Sequence, residues 1–264
     1  TKNIAVLFDF DGVVVDTETQ YSIFWHKMGV DYLGMEDLES RVKGQTLVYI
    51  YNTFFPGMIK EQEEITAGLD RFEQEMTFEF IPGVESFIAD LRRNGVKMAV
   101  VTSSNDKKME AVYRAKPEIK TMFDRILTAE MFTASKPAPD CFLLGMKVFG
   151  TTPETTYVFE DSFNGLKAGM ASGATVIGLA TTNSREEIVP LCHYIIDDFK
   201  GMDYEKLLRM KEQLKEQRDG LPREALESFD KSFDIEYAHN STAIEGNTLT
   251  LIQTKAIIED GLSV

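Results

Sequence analysis

The chain has 264 residues, of which 43% are hydrophobic and 27% charged, the balance of a globular protein with room for one large domain or two smaller ones. A formal net charge of −15 argues against nucleic acid and anionic membrane surfaces as partners, and obliges any phosphate site to invert the local field with lysine and a cation. Cys141 and Cys192 lack metal-ligand spacing and read as small core residues; with no apolar run of transmembrane length and no secretion signal before the first strand, a reducing cytoplasm fits best, and Thr1 implies a trimmed start.

The short aliphatic run Ile4-Ala5-Val6-Leu7-Phe8 predicts a buried parallel strand. Asp9 and Asp11 stand at its end, with Gly12 directly after. Side chains at i and i+2 of an extended backbone lie on one side. Two carboxylates therefore aim together at the strand exit, where open α/β sheets bind ligands. Such a pair repels itself unless a cation or proton lies between, which asks for a hard metal such as Mg²⁺ and, through it, a phosphate. Asp-Gly is also a common turn dipeptide, so the pair alone leaves an ordinary strand-end turn open. A calcium-loop reading fails, because its sixth position, a glycine in that motif, is Val14 here.

Val13 to Thr17 reads as a short extended stretch. From about residue 18 to 80 the texture becomes amphipathic helix, with Phe24, Trp25 and Met28 on one face and Leu69, Phe72 and Met76 on another. Ile81-Pro82-Gly83-Val84 opens a helix running to Arg93, closed by Asn94-Gly95. The strand Met98–Val101 ends in Thr102-Ser103-Ser104-Asn105, and Asp106 begins another helix. A third strand, 125–128, precedes Ser135-Lys136-Pro137-Ala138-Pro139-Asp140 and a helix through Phe149. A fourth, 156–159, ends in Glu160-Asp161-Ser162 and leads to a helix with Gly165, Ala168 and Gly169. Thr175–Leu179 is a fifth strand, and Tyr194–Ile196 is expected as an edge strand. This alternation predicts a doubly wound parallel α/β sheet covered on both faces. Tyr204 to Arg218 is a charged helix expected to be a solvated linker, Asp219-Gly220-Leu221-Pro222 is a break, and 224–238 and 250–259 read as two further helices.

Polar groups thus recur at four strand ends: Asp9 and Asp11, Thr102 with Ser103, Lys136, and Glu160 with Asp161. A carboxylate nucleophile, a hydroxyl, a cation and an acid pair suffice for phosphoryl transfer, which is mostly positioning and charge neutralisation. Taken singly, Lys136 reads as a solvated loop lysine and Glu160 with Asp161 as a helix N-terminal acid cluster. Together, Asp9-Phe-Asp11-Gly-Val-Val, Val-Val-Thr102-Ser-Ser-Asn, Ser-Lys136-Pro-Ala-Pro-Asp and Glu160-Asp161-Ser-x-x-Gly165 resemble the haloacid dehalogenase (HAD) superfamily over about residues 2 to 210, in its phosphatase and phosphomutase branch. The resemblance implies Asp9 as nucleophile on phosphorus, Asp11 as acid and then base, and Thr102 and its neighbouring amides on the phosphoryl oxygens. Substrate contacts from Ser103, Ser104 and Asn105 follow with these. It further implies Lys136 as charge neutraliser and Mg²⁺ held by Asp9, the Asp11 carbonyl and Asp161, with Glu160 a further or water-mediated ligand.

The same resemblance divides the chain into a HAD-like core (1–16 and 81–203), a helical cap (17–80), a linker helix (204–220) and a tail (221–264). Closure of the cap over the site would exclude water. Lys43-Gly44-Gln45-Thr46 resembles the family's substrate-sensing cap loop, in which Lys43 would meet a second anionic group; an exposed turn lysine is the plainer reading. The texture is similar to the β-phosphoglucomutase-like subgroup, but a cap histidine of those enzymes falls at Tyr21 and a phosphate-gripping arginine at Leu47. Hydrolysis of a small phosphorylated metabolite is therefore expected ahead of mutase chemistry. His26 and His193 read as packing or loop residues rather than substitutes. The tail Glu236-Tyr-Ala-His-Asn-Ser241-Thr-Ala-Ile-Glu245-Gly-Asn resembles the inhibitory start of Fic-domain proteins, with Ser241 and Glu245 in its motif but no catalytic Fic core. That implies a truncated fusion or a tail that binds a Fic-type partner, against a plain pair of amphipathic helices.

Overall fold

The computed structural model describes residues 3–43 and 45–219. Residues 3–204 belong to one compact unit, and a second begins at Glu205. The first strand, β1 (Ala5–Phe8), is buried along its whole length, as a continuous apolar run between two covered faces should be. The loop after it folds tightly: the Val14 and Val15 amides donate to the Phe10 carbonyl, at 2.9 and 3.2 Å. It leads into β2 (Val15–Asp16).

A helical block follows. Its elements are α1 (Glu18–Met28), extended by a wide turn over Gly29–Leu33, α2 (Leu38–Val42), α3 (Leu47–Phe54) and α4 (Ile59–Glu75). Phe24, Trp25, Leu38, Val42, Ile50, Phe55 and Ile65 form an apolar core of its own. The chain returns through β3 (Glu79–Phe80), which pairs antiparallel with β2, Val15 opposite Phe80. Entry and exit of the insert are thus one two-stranded ribbon, set a few residues beyond Asp9 and Asp11.

The rest alternates as predicted: α5 (Val84–Arg93), β4 (Lys97–Val101), α6 (Asp106–Ala115), α7 (Ile119–Met122), β5 (Arg125–Leu127), α8 (Asp140–Phe149), β6 (Thr156–Glu160), α9 (Phe163–Ala171), β7 (Thr175–Leu179), α10 (Arg185–Ile188), β8 (Tyr194–Ile196) and α11 (Tyr204–Asp219). All neighbours in the six-stranded sheet are parallel, in the order β5-β4-β1-β6-β7-β8. Ala5 lies opposite Lys97 on one side and Thr156 on the other, and β8 is the expected edge.

Strand alternation sends Leu7 and Phe8 to opposite faces. Leu7 packs with Ala99, Val101, Val158 and Val176 beneath Phe142 and Met146 of α8 and Leu166 of α9. Phe8 stacks on Phe159 at 5.2 Å and meets Phe87 of α5, which in turn stacks on Phe199 at 5.4 Å. After β1 the chain runs toward β4, and after β6 it runs the other way toward β7. The crevice at the carboxyl ends of β1 and β6 is therefore the topological switch point, where sheets of this class bind ligands. Among the described residues no helix is long and apolar enough to cross a membrane, and Cys141 and Cys192 are both free.

Candidate active site

Asp9 directly follows β1, and its amide donates to the Phe159 carbonyl of β6 at 2.9 Å. Lys136 reaches it from the loop before α8. The buried Lys136 ammonium donates to Asp9 Oδ1 at 2.7 Å, to Glu160 Oε1 at 2.7 Å and to the Val101 carbonyl at 3.1 Å. Glu160, at the end of β6, is held by its other oxygen: Oε2 accepts from the Asp161 and Ser162 amides at 2.9 and 3.0 Å and from the Ser162 hydroxyl at 3.1 Å. Ser162 also caps α9 by accepting from the Gly165 amide. Asp161 accepts from the Thr182 hydroxyl, and the Asn183 side-chain Nδ2 donates to the Asp161 backbone carbonyl at 3.1 Å. Thr182 and Asn183, in the loop after β7, carry no motif that marks them in the sequence.

Asp9, Glu160 and Asp161 are all buried, and one carboxylate oxygen from each lies within 4.8 Å of the others. The Lys136 ammonium pairs with two of the three, Asp9 and Glu160. Burial is the largest influence on Asp9; with Lys136 pulling the other way and the Glu160 carboxylate adding to the rise, its carboxyl is pushed up to about 7. Burial, then the Glu160 and Asp9 carboxylates, push Asp161 well above the usual carboxylate range. Room for Asp161 comes from Gly12, whose φ is +75° and where a Cβ would stand 2.0 Å from Asp161 Oδ2. A hard divalent cation fits this all-oxygen set and would offset the charge that Lys136 leaves over.

Asp11 is engaged elsewhere. Its Oδ1 accepts from the Thr17 hydroxyl at 2.7 Å, and its Oδ2 from the Ser104 hydroxyl at 3.1 Å and the Lys108 ammonium at 2.7 Å. Burial opposes its charge, yet Lys108, Thr17 and Ser104 together hold its carboxyl below the ordinary value. The two aspartates that share a strand end in the sequence thus sit in separate networks.

Thr102 follows β4 and is buried; its hydroxyl accepts from the Ser104 amide at 3.0 Å. Asn105 caps α6, accepting from the Lys108 amide at 2.8 Å, while Ser103 is exposed at the cleft. Helices α6 and α9 both begin at this cleft, where their unpaired amides favour an anion. Lys43, at the end of α2, reaches within 3.9 Å of Glu18 and lines the cleft from the insert side. Gly44, Ser241 and Glu245 lie outside the described residues, as does the whole Fic-like segment. His26 faces the Glu36 carbonyl and Glu39 within the insert, and His193 Nδ1 accepts from the Val176 amide.

The cleft measures about 560 Å³ and joins both layers. Its floor holds Asp9, Asp11, Thr102, Lys136 and Asp161, and its roof includes Tyr21, Leu47 and Glu73. Sequence reasoning missed Lys108, which is buried at the third position of α6. The available signal was its place in the first turn of a capped helix, where side chains lean back toward the N-terminus.

The profile of the haloacid dehalogenase-like hydrolases matches residues 6–179, which spans β1 through β7 and every polar strand end just described. The chain belongs to this family. It is accordingly an enzyme. It is 30% identical over 69% of its length to the chloroplastic protein Suppressor of Quenching 1 of Arabidopsis thaliana, of which it spans only 18%. It is 29% identical over 66% of its length to hexitol phosphatase A of Escherichia coli, spanning 81% of that protein. The crystal structure of β-phosphoglucomutase from Clostridium difficile superposes with a TM-score of 0.65 at 20% identity, covering 80% of this chain and 98% of that one; at that identity the likeness concerns the HAD-like fold.

Proposed function

We propose that this HAD-family enzyme is a Mg²⁺-dependent phosphatase that hydrolyses a small phosphomonoester, such as a sugar phosphate, through an aspartyl-phosphate on Asp9. The observation that carries the reading is the separation of the two aspartates. Asp9 has Oδ1 on Lys136 and stands in the buried acidic cluster at the floor of the cleft. Asp11 stands apart on Thr17, Ser104 and Lys108. One is placed to bond to phosphorus and the other to move protons.

In the first step an Asp9 carboxylate oxygen attacks phosphorus, the bond from phosphorus to the leaving oxygen breaks, and Asp11 in its protonated form supplies that oxygen with a proton. In the second, water attacks the aspartyl-phosphate, Asp11 takes its proton, and the Asp9–phosphorus bond breaks to give inorganic phosphate. Lys136 balances charge on Asp9 throughout, and the Thr102 region with the α6 amides holds the phosphoryl oxygens. Asp9 and Asp161, with the Asp11 carbonyl, would hold the Mg²⁺, Glu160 lying behind them; when bound it supplies the positive charge that the phosphoryl group and the three carboxylates need.

Two cleft residues favour hydrolysis over mutase chemistry. Leu47 presents an apolar side chain where a second phosphate would need a cation, and the Tyr21 hydroxyl donates to Glu73 at 2.8 Å. Glu18, Glu39, Asp70 and Glu73 line the same side, a setting that repels a bisphosphate. The kinship to hexitol phosphatase A supports a polyol or sugar phosphate as substrate. Phosphate release measured across sugar phosphates, polyol phosphates, nucleotides and pyrophosphate, with Mg²⁺ and with chelator, tests the reading. Release that needs Mg²⁺ and favours the sugar or polyol esters is expected; absence of release from every ester contradicts it.

A further inference from the structure

Lys108 is the one buried cation of the described cleft that the reaction above does not use. Its backbone is fixed at the third position of α6 by the Asn105 cap, whose side chain accepts from the Lys108 amide at 2.8 Å. Its ammonium sits between two layers of the molecule. On the core side it donates to Asp11 Oδ2 at 2.7 Å. On the insert side it lies 4.9 Å from the centre of the Tyr21 ring. That ring is itself pinned, its hydroxyl donating to Glu73 Oε1 of α4 at 2.8 Å and its edge tilted on Phe72 at 5.7 Å. Burying an ammonium is expensive unless it is paired, and the hydrogen bond to Asp11 together with the Tyr21 face is what offsets it here.

We propose that Lys108 is a positioning residue: it fixes the Asp11 carboxylate in the orientation from which Asp11 exchanges protons, and Tyr21 and Glu73 of the helical insert fix Lys108 in turn. The inference rests on the phosphatase reading above. Thr17 holds Oδ1 and can act as a pivot, but with Oδ2 left to Ser104 alone, at 3.1 Å, the carboxylate is free to rotate about its Cβ–Cγ bond. A misplacement of that kind is enough to lower the rate of a proton transfer substantially. Beyond Thr17 at its first position, the insert reaches Asp11 through Tyr21 and Glu73 against this ammonium, so removing Lys108 loosens the coupling of the two layers at the reacting group.

The half-reactions separate this role from a merely structural one. With para-nitrophenyl phosphate the leaving group departs without a proton, so kcat/KM reports formation of the aspartyl-phosphate with little need for Asp11. Hydrolysis of the aspartyl-phosphate still needs Asp11 as base, and it enters kcat. In Lys108→Met, kcat for para-nitrophenyl phosphate is expected to fall at least about tenfold, a fraction of the usual worth of a general base. The value of kcat/KM should stay within about threefold, KM should fall in parallel, and a pre-steady-state burst of para-nitrophenol should appear. Equal losses in kcat and kcat/KM, or an unchanged kcat, overturn the proposal. Lys108→Met leaves Asp11 and Glu73 facing one another without a cation. The double variant Lys108→Met/Glu73→Gln removes that repulsion, and the same split is required of it if the single variant does not fold. Wild-type enzyme that turns over neither this ester nor any other removes the phosphatase reading and this inference with it; active wild-type enzyme with no split removes only the inference.

Discussion

The Glu160 carboxylate lies directly against the backbone of Gly165, so close that a Cβ on Gly165 would stand 1.7 Å from Glu160 Oε1 and 1.9 Å from its Cδ. The same Oε1 accepts from Lys136. A glycine in the first turn of α9 is therefore part of how the Lys136 ammonium is held beside Asp9. On helix propensity alone, alanine at this place would stabilise α9 by about 1 kcal/mol.

Gly165→Ala is accordingly a sharp test. Forcing Glu160 aside costs about 1–3 kcal/mol as overpacking, which outweighs the gain in propensity. The variant is expected to melt below wild type and to lose at least about tenfold in kcat/KM, since Lys136 loses one of its anchors. A variant that melts higher with full activity would show that Glu160 does not need this place.

Lys136→Met removes the ammonium that the buried Asp9 and Glu160 carboxylates share. Breaking a buried pair by taking one partner away costs about 3–5 kcal/mol, and loss of a charge aimed at a developing phosphoryl charge is worth about 10²–10³ in kcat. Thermal melts and turnover of para-nitrophenyl phosphate on the same preparation check both. Mg²⁺ should recover part of the stability and little of the activity.

Metal addition gives a readout independent of turnover. A ligand that binds only the folded state at about 100 times its Kd stabilises it by about 2.7 kcal/mol, or roughly 5–10 °C in Tm for a domain of this size. Wild type should show a Mg²⁺-dependent rise of that order, reversed by chelator. Asp161→Asn should show almost none. A Tm that ignores Mg²⁺ in the wild type contradicts a metal site at Asp9, Glu160 and Asp161.

Much of this was written locally in the sequence. The strand runs ending at Phe8, Val101 and Phe159 are short, apolar and bounded by polar turns, so each strand and the residues just beyond it could be placed without tertiary information. Asp9 and Asp161 sit at such ends and Lys136 in the loop between β5 and α8, and they converge because the sheet is parallel and its carboxyl ends share one edge. The partners of Asp11 were not readable in this way. Lys108 is 97 positions from Asp11 and belongs to Asp106-Lys107-Lys108, which looks like the solvated first turn of a helix. Only the packing of α6 beneath the insert turns Lys108 inward, while its neighbour Lys107 pairs with Asp70 of α4 at the surface, 2.5 Å away. Ser104 gives a similar lesson: its hydroxyl, expected at the substrate, donates to Asp11. The Thr182 contact to Asp161 arises from a loop after β7 that no spacing connects to the acid pair.

The most direct measurement is turnover of para-nitrophenyl phosphate with Mg²⁺ by wild type and by Asp9→Asn, with Tm recorded for each. Asparagine keeps the size and shape of the side chain while removing the nucleophilic carboxylate. The account predicts a folded Asp9→Asn protein with no turnover above background. A folded variant that retains a substantial part of the wild-type rate would contradict the assignment of Asp9 as the residue that bonds to phosphorus.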